Sequence, residues 1–167
     1  MNLTKSKYCT GLKCPKILWM ENNMPERFDE SSVDELRFET GTQVGALARR
    51  YFGAFSEVPF MRSKTKMIEE TQHLIDASVS VIAEASFAYE NNFCSVDLLR
   101  KAKGGYELIE VKSSTSSEGD GPDAVKGDYF DDMAYQYYVV THFGLPVKKV
   151  SILQLNRDYV RQGDLDI

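Results

Sequence analysis

Three consecutive strand-like runs in the middle of the chain constrain its fold more than any other feature. They cover about residues 78–89, 93–101 and 105–112. Asn91-Asn92 separates the first two runs and Gly104-Gly105 the last two, and such pairs are typical of tight turns. Strands joined by tight turns pair with their neighbours in the chain. The sequence therefore predicts an antiparallel meander.

Helical segments surround these strands in the sequence. The predicted helices cover about residues 6–20, 32–51, 62–75 and 129–143. The last helix ends at Gly144, and residues 149–155 then form a final strand, which the strand–helix–strand order predicts to lie parallel to its neighbour. We therefore expect an α/β fold, in which a mixed sheet of the meander plus one parallel strand after a crossover helix is flanked by helices.

Individual residues carry expectations within these helices. We expect a break at Gly11, Trp19 packed in the core, and Ser32 as a helix N-cap. Tyr137 and Val140 fit a helical apolar stripe, together with Phe130, Met133, Ala134 and Thr141, and we expect them to pack.

Length and composition predict one folded domain. The chain has 167 residues, of which 43% are hydrophobic, which suffices for one core over residues 1–167. We expect residues 1–77 to form a helical N-terminal part and residues 78–156 to form the core of the domain. The sequence contains no apolar run long enough to cross a membrane and no signal-peptide pattern, so we expect a cytoplasmic protein. The sequence leaves open whether the natural protein extends past Ile167.

The tripeptide Glu110-Val111-Lys112 ends the third strand-like run. Residues two apart in a strand project to the same face, so the carboxylate of Glu110 and the ammonium of Lys112 lie together. Asp97 lies in the preceding run, and two carboxylates brought close together need a cation. Hard oxygen ligands suit Mg²⁺ or Mn²⁺, and Lys112 would act on water or on a phosphate. The alternative is a solvated strand edge with alternating charges.

The order Asp97, Glu110-Val111-Lys112 and Gln136 resembles the PD-(D/E)XK nuclease superfamily, in particular its RecB-like branch. Three further stretches resemble the same branch, including its CRISPR-associated exonucleases, and extend the resemblance over nearly the whole chain. They are SKYCTGLKCPKILW, FETGTQVGALAR and DDMAYQYYVVTHFGLPVKKVSILQLN.

This resemblance implies a restriction-endonuclease-like core and a metal-dependent DNA nuclease, with an exonuclease of DNA repair favoured by analogy. It implies that Asp97 and Glu110 hold Mg²⁺ or Mn²⁺, with the backbone carbonyl of Val111 as a further ligand. Lys112 would be the catalytic lysine, and Gln136 would position the site or the DNA.

Two positions depart from the family pattern. The residue four after Gln136 is Val140, where the family's QxxxY motif has tyrosine. The first helical motif carries a histidine in many RecB-like enzymes, whereas this chain has GTQVG at residues 41–45, and its histidines are His73 and His142. These departures leave open an alternative function, a weak or inactive nuclease-fold module for DNA-end binding or protein interaction.

Glu84 is a further acidic candidate, because it lies among apolar and small residues of the first strand-like run. Acids are rarely buried without a partner. It is either a third acidic member of the metal site or a solvated residue on one face of its strand.

Charge and cysteine content limit the partners and cofactors. The net charge of −5 argues against purely electrostatic DNA binding, so local basic groups would contact the DNA. The preferred contacts are Lys13, Lys16, Arg49 and Arg50, with solvated faces as the alternative. Three cysteines are too few for a four-thiolate iron–sulfur cluster within this chain. Single-stranded DNA or a duplex end is the expected substrate, and a helicase or an additional C-terminal domain is a possible partner.

Overall fold

The structure is a computed structural model that describes residues 3–27, 35–115 and 127–163. Within these residues the chain forms six strands and five α-helices. The strands are β1 (Leu3–Thr4), β2 (Ser56–Glu57), β3 (Val81–Tyr89), β4 (Asn92–Ala102), β5 (Gly105–Thr115) and β6 (Val147–Leu155). The helices are α1 (Lys5–Lys13), α2 (Pro15–Asn23), α3 (Glu35–Tyr51), α4 (Lys64–Asp76) and α5 (Gly127–Phe143). A single 3-10 turn follows α2 at Pro25–Arg27.

All six strands belong to one mixed sheet. Its main order is β2-β3-β4-β5-β6, and β1 pairs with β4 outside this path. The pairs β3–β4 and β4–β5 are antiparallel, whereas β5–β6, β2–β3 and β1–β4 are parallel. The predicted α/β class, the antiparallel meander and the parallel last strand after a helix are therefore confirmed.

Helices cover both faces of the sheet. The larger core cluster includes Met67 of α4 and Val139 of α5, packed with Phe87, Leu99 and Leu108 of the central strands. A smaller cluster on the opposite face joins α3 to the sheet through Ala48, Val81, Ala83, Leu98 and Ile109. Leu98 and Leu99 of β4 belong to different clusters, and so do Leu108 and Ile109 of β5, as the two-residue period of a strand requires. Of the described helices, none is long and apolar enough to cross a membrane.

A buried carboxylate holds β5 in register with both of its neighbours. Glu107 of β5 accepts hydrogen bonds from Arg100 of β4 and from Ser151 of β6, and its Oε1 lies 3.2 Å from Lys149 Nζ. Burial opposes the charge on Glu107, but these partners hold the pKa of its carboxyl below the usual range. The ionised carboxylate therefore fixes the strand that carries Glu110.

Several detailed expectations for the helices are wrong. Helix α1 runs through Gly11, and the break falls at Cys14, which is extended because the residue before a proline is disfavoured in a helix. Trp19 is 55% exposed, because α2 contacts α1 rather than the sheet. Ser32, the expected N-cap, lies outside the described residues.

The predicted apolar stripe of α5 is only partly correct. Val140 is fully buried as expected, but Tyr137 is 47% exposed and Phe130 49% exposed. The buried face of α5 instead includes Asp132 and Gln136. Asp132 and Gln136 take inward positions at this end of the helix because they bind Lys112 and Glu110 of β5. Tyr137, the next residue after Gln136, therefore faces outward.

The turn between β4 and β5 supports a test of the packing at this edge. A Cβ added at Gly105 would lie 2.1 Å from the carbonyl oxygen of Pro146, which accepts a hydrogen bond from the backbone of Tyr106. We expect Gly105→Ala to lower the free energy of unfolding by about 1–3 kcal/mol, measured by urea denaturation. Gly127→Ala is the matched control, since its Cβ meets no described atom within 4 Å. Equal stabilities of the two variants would contradict this packing.

Candidate functional site

The sheet forks at the middle of β4. The first residues of β4 pair with β1, through Leu3 with Asn92 and Thr4 with Phe93. From Leu98 onward the same edge of β4 pairs with β5 instead. We call the gap between β1 and β5 along this edge of β4 the fork. The strand pairs on its two sides do not form one continuous ladder.

Asp97 and Glu110 face each other across this fork. The β4–β5 pairing runs as far as Leu98 with Ile109, so the next residues along the two strands are Asp97 and Glu110. The backbone N–H of Val111 donates to Asp97 Oδ2 at 2.7 Å, which joins the diverging strands through a side chain. The predicted juxtaposition of the two carboxylates is therefore present.

Glu84 lies on the other side of Asp97, in a strained backbone conformation. In the β3–β4 register it falls between Ala83, which pairs with Leu98, and Ala85, which pairs with Val96. Its φ of 56° is in the left-handed region, which is uncommon for a residue other than glycine and is unfavourable inside a strand.

This irregularity shifts the alternation of side chains in both strands. In β3 the larger core cluster takes Ile82 and then Ala85, and in β4 it takes Val96 and then Leu99. Each pair is three residues apart, where regular strands place same-face residues two apart. The regular alternation of side chains is therefore interrupted at Glu84 in β3 and at Asp97 in β4, which lie opposite each other.

Glu110 is the most connected side chain of the site. It is 4% exposed, and Lys5 Nζ lies 3.0 Å from each of its carboxylate oxygens. Lys112 Nζ donates to Oε1 at 2.6 Å, and Gln136 Nε2 donates to Oε2 at 2.6 Å. Three separate parts of the chain, the start of α1, the end of β5 and the middle of α5, thus converge on one carboxylate.

Asp132 completes the cluster from one helical turn below Gln136. Lys112 Nζ donates to its Oδ2 at 2.6 Å, and Gln136 Nε2 donates to its Oδ1 at 3.1 Å. Lys5 Nζ lies 3.3 Å from the same Oδ1. Each lysine therefore bridges Glu110 and Asp132, and the amide of Gln136 holds the two carboxylates in fixed orientations.

Burial makes the carboxylates at the fork hard to ionise. It raises the pKa of Asp97 even though Lys5 and the Val111 N–H favour the charged form. Burial and the nearby charge of Asp97 likewise raise the pKa of Glu110. Within this cluster three carboxylates face two ammonium groups, so negative charge remains in excess.

The pKa values of Lys5, Lys112 and Asp132, in contrast, are shifted in the direction that favours the charged form of each group. Burial alone would lower the pKa of each lysine, but attraction to Glu110 outweighs it for both Lys5 and Lys112, whose pKa values are raised. Burial alone would raise the pKa of Asp132, but the two lysines hold it below the usual range. Lys5, Lys112 and Asp132 are therefore charged at neutral pH.

The fork opens into a cavity of about 700 Å³. Its charged lining consists of Lys5, Arg49, Glu84, Asp97, Glu110 and Lys112. Helix α3 forms the opposite wall with Gly41 and Gly45, and a Cβ added at either glycine would meet no described atom within 4 Å. The small residues of α3 thus leave room for a ligand beside the carboxylates.

The structure brings together most of the residues predicted from sequence. Asp97, Glu110, Val111 and Lys112 line the same cavity, and Gln136 lies directly behind Glu110. Glu84 also lines the cavity, and there Arg49 Nη2 lies 3.0 Å from its Oε1. Glu84 is therefore neither a freely solvated residue nor one buried among apolar side chains.

The four predicted DNA contacts lie in different places. Arg49 lines the main cavity, where it also pairs with Glu57 at 3.4 Å. Lys13 pairs with Asp128 at 2.8 Å and lines a neighbouring cavity of about 370 Å³ that Lys112 and Asp132 share. Lys16 and Arg50 are exposed and belong to the lining of neither cavity.

Sequence reasoning did not assign Lys5 or Asp132 to the site. Asp132 had a usable signal, because it precedes Gln136 by four residues and therefore lies on the same helical face. Lys5 had no local signal. It reaches Glu110, 105 positions away in the chain, only because β1 pairs with β4.

The donor set at the fork suits a hard divalent cation. Among residues 3–27, 35–115 and 127–163, no group of three or more His, Cys, Asp or Glu side chains is arranged to hold a metal ion. Mg²⁺, however, commonly uses one or two carboxylates and keeps water as its other ligands. Asp97 and Glu110 supply two carboxylates, and the excess negative charge around them favours a cation.

Comparisons with protein-family models and with curated proteins give no match. No family model matches this chain, and no curated protein matches its sequence. Function is therefore inferred from the residues of the site and their geometry.

Two isosteric substitutions test the charge balance of the metal-free site. At pH 8 the raised pKa of Asp97 means that its ionised form is less favourable in the folded than in the unfolded chain. We expect Asp97→Asn to raise the free energy of unfolding by roughly 1–2 kcal/mol in EDTA. We expect Asp132→Asn to lower it by about 1–3 kcal/mol, because the pKa of Asp132 is depressed by Lys5 and Lys112.

Both variants are measured by urea denaturation against the native chain. Opposite signs are the expected result, although each variant replaces one aspartate by asparagine. A loss of stability in Asp97→Asn as large as in Asp132→Asn would contradict the assigned charge balance.

Proposed function

We propose that this chain is a Mg²⁺- or Mn²⁺-dependent DNA nuclease domain of the PD-(D/E)XK superfamily, of RecB-like type. The observation that carries the proposal is the convergence of Asp97, Glu110 and Lys112 on one open cavity, with Gln136 bound to Glu110. These are the residues that the resemblance assigns to the metal, the catalytic lysine and the positioning glutamine. The mixed sheet, a meander followed by a helix and a parallel strand, supports a restriction-endonuclease-like core.

Asp97 and Glu110 would hold the cation through their carboxylate oxygens, with the Val111 carbonyl beside them. When bound, a divalent cation there supplies Lewis acidity to the phosphodiester and makes water more acidic. Gln136 donates to Glu110 and so keeps one of its oxygens from rotating away. The N–H of Val111 orients Asp97 in the same manner.

Lys112 acts as a charge rather than as a base in this proposal. In the metal-free site Glu110 and Asp132 raise its pKa, which favours the protonated ammonium there. A protonated lysine beside the phosphate offsets the negative charge that develops in the transition state. Asp132 positions that ammonium through the 2.6 Å contact at its Oδ2.

The substrate enters along the wall formed by α3. Gly41 and Gly45 leave space there, and Arg49 places a positive group at the edge of the same cavity. A net charge of −5 argues against binding of DNA along an extended basic surface, so contacts near the cavity matter most. By analogy with the RecB-like branch, the proposed activity is that of an exonuclease acting on DNA ends in DNA repair, working with a helicase or a further domain in the cytoplasm.

The second candidate is a nuclease-fold module that binds DNA ends or proteins without efficient cleavage. Val140 is fully buried, so the position of the family's tyrosine faces the core and not the DNA. Gln43 lies in the stretch where many RecB-like enzymes carry a histidine, and its side chain is exposed. The intact cluster of Asp97, Glu110 and Lys112 favours the enzyme.

A cleavage assay separates these functions. Single- and double-stranded DNA labelled at either end is incubated with the native chain in Mg²⁺, Mn²⁺ or EDTA. We expect metal-dependent cleavage, reduced about 100-fold or more in both Glu110→Gln and Lys112→Ala, because each variant removes a charge that acts on the phosphate or its cation. Lys66→Gln, an exposed lysine of α4, is the control and should keep the native rate.

Undiminished cleavage in both site variants would refute the assignment of the active site. No cleavage by the native chain, despite Mn²⁺ bound at Asp97 and Glu110, would favour the non-catalytic module.

A further inference from the structure

Lys5 occupies a position that its own helix does not favour. It is the first residue of α1, which begins Lys5-Ser6-Lys7, so the first turn of the helix carries positive charge. The N-terminus of a helix is the positive end of its dipole, and cations there are unfavourable. The Lys5 side chain is nevertheless only 23% exposed. Something other than helix formation therefore holds its ammonium in place.

The carboxylates at the fork hold it. Lys5 Nζ lies 3.0 Å from both oxygens of Glu110 and 3.3 Å from Asp132 Oδ1. The charge of Asp97 also attracts it. Glu110 thus presents both of its oxygens to one cation, as a bidentate carboxylate does to a metal ion. The ammonium takes the place that the charge of these acids provides for a cation.

The backbone around Lys5 is anchored on the sheet. Leu3 N donates to the carbonyl of Asn91 at 3.1 Å, and its own carbonyl accepts from the hydroxyl of Tyr135 at 2.9 Å. Thr4 pairs with Phe93 and caps α1 by accepting from Lys7 N. The backbone of Lys5 is therefore fixed beside the fork, so displacement of its ammonium from Glu110 would require rotation of the side chain alone.

We propose that Lys5 is a tethered counter-ion of this site, which a divalent cation must displace from Glu110. The three carboxylates are those of Asp97, Glu110 and Asp132. With Lys5 and Lys112 both beside them, an added divalent cation would give the cluster a net positive charge. With Lys5 rotated away, the same cation and Lys112 together neutralise them. Lys5 therefore competes with the metal and sets the metal concentration at which the site fills. This inference rests on the proposed function, because it takes Asp97 and Glu110 as the metal ligands.

Mn²⁺ binding in the absence of DNA tests the competition. The dissociation constant is measured by isothermal titration calorimetry for the native chain, Lys5→Met and Lys66→Gln. Lys5→Met keeps the apolar stem and removes the charge, and we expect it to bind Mn²⁺ about tenfold more tightly, since a like charge close to the ion is lost. Lys66→Gln makes the same change in net charge on exposed α4 and should stay within about twofold of the native value.

Two further variants make the result decisive. Glu110→Gln should abolish the Mn²⁺ binding, which locates it at the fork. Lys5→Gln, whose amide can still donate to Glu110, serves in place of Lys5→Met if the latter does not fold without metal, and the same tightening is expected.

Native Mn²⁺ binding that depends on Glu110, with an unchanged or weaker affinity in the Lys5 variant, would overturn the competition alone. Absence of Mn²⁺ binding in both the native chain and the Lys5 variants would overturn it together with the proposed function.

Discussion

The fork in the sheet is the constraint on which the rest of the site depends. A continuous β4–β5 ladder would leave no gap between Asp97 and Glu110. Because β4 exchanges β1 for β5 between Phe93 and Leu98, the carboxylates meet at a gap, and α1 delivers Lys5 into it directly after β1. The left-handed backbone of Glu84 lies at the same level of the sheet. Strand pairing, strain and charge therefore coincide at one place.

The charge arrangement indicates a site built for binding rather than for stability. Burial raises the pKa values of both Asp97 and Glu110, so their ionised forms weaken the metal-free fold. Lys5 and Lys112 offset part of this cost, whereas the charge of Asp132 adds to it at Glu110. Groups that carry an unfavourable charge in the folded state are typical of functional sites, where a ligand supplies the missing interaction. A divalent cation at the fork would do so here.

Local patterns in the sequence predict the strands and the residues of the site that lie close together in the chain. They do not predict the residues that reach the site through pairing between distant segments. The turn pairs predicted the meander, and the two-residue period of strands placed Glu110 beside Lys112. Lys5 could not be predicted in this way, because β1 has only two residues and its partner lies about ninety positions later. Trp19 was wrongly placed in the core because its apolar character does not reveal that α2 contacts α1 instead of the sheet.

The most direct test of the central claim is anomalous X-ray diffraction from crystals of the native chain grown with Mn²⁺. The account predicts a strong anomalous peak at the fork, within bonding distance of carboxylate oxygens of both Asp97 and Glu110, with Lys5 Nζ moved away from Glu110. An empty fork at a saturating Mn²⁺ concentration, or a peak bound only elsewhere on the molecule, would contradict it.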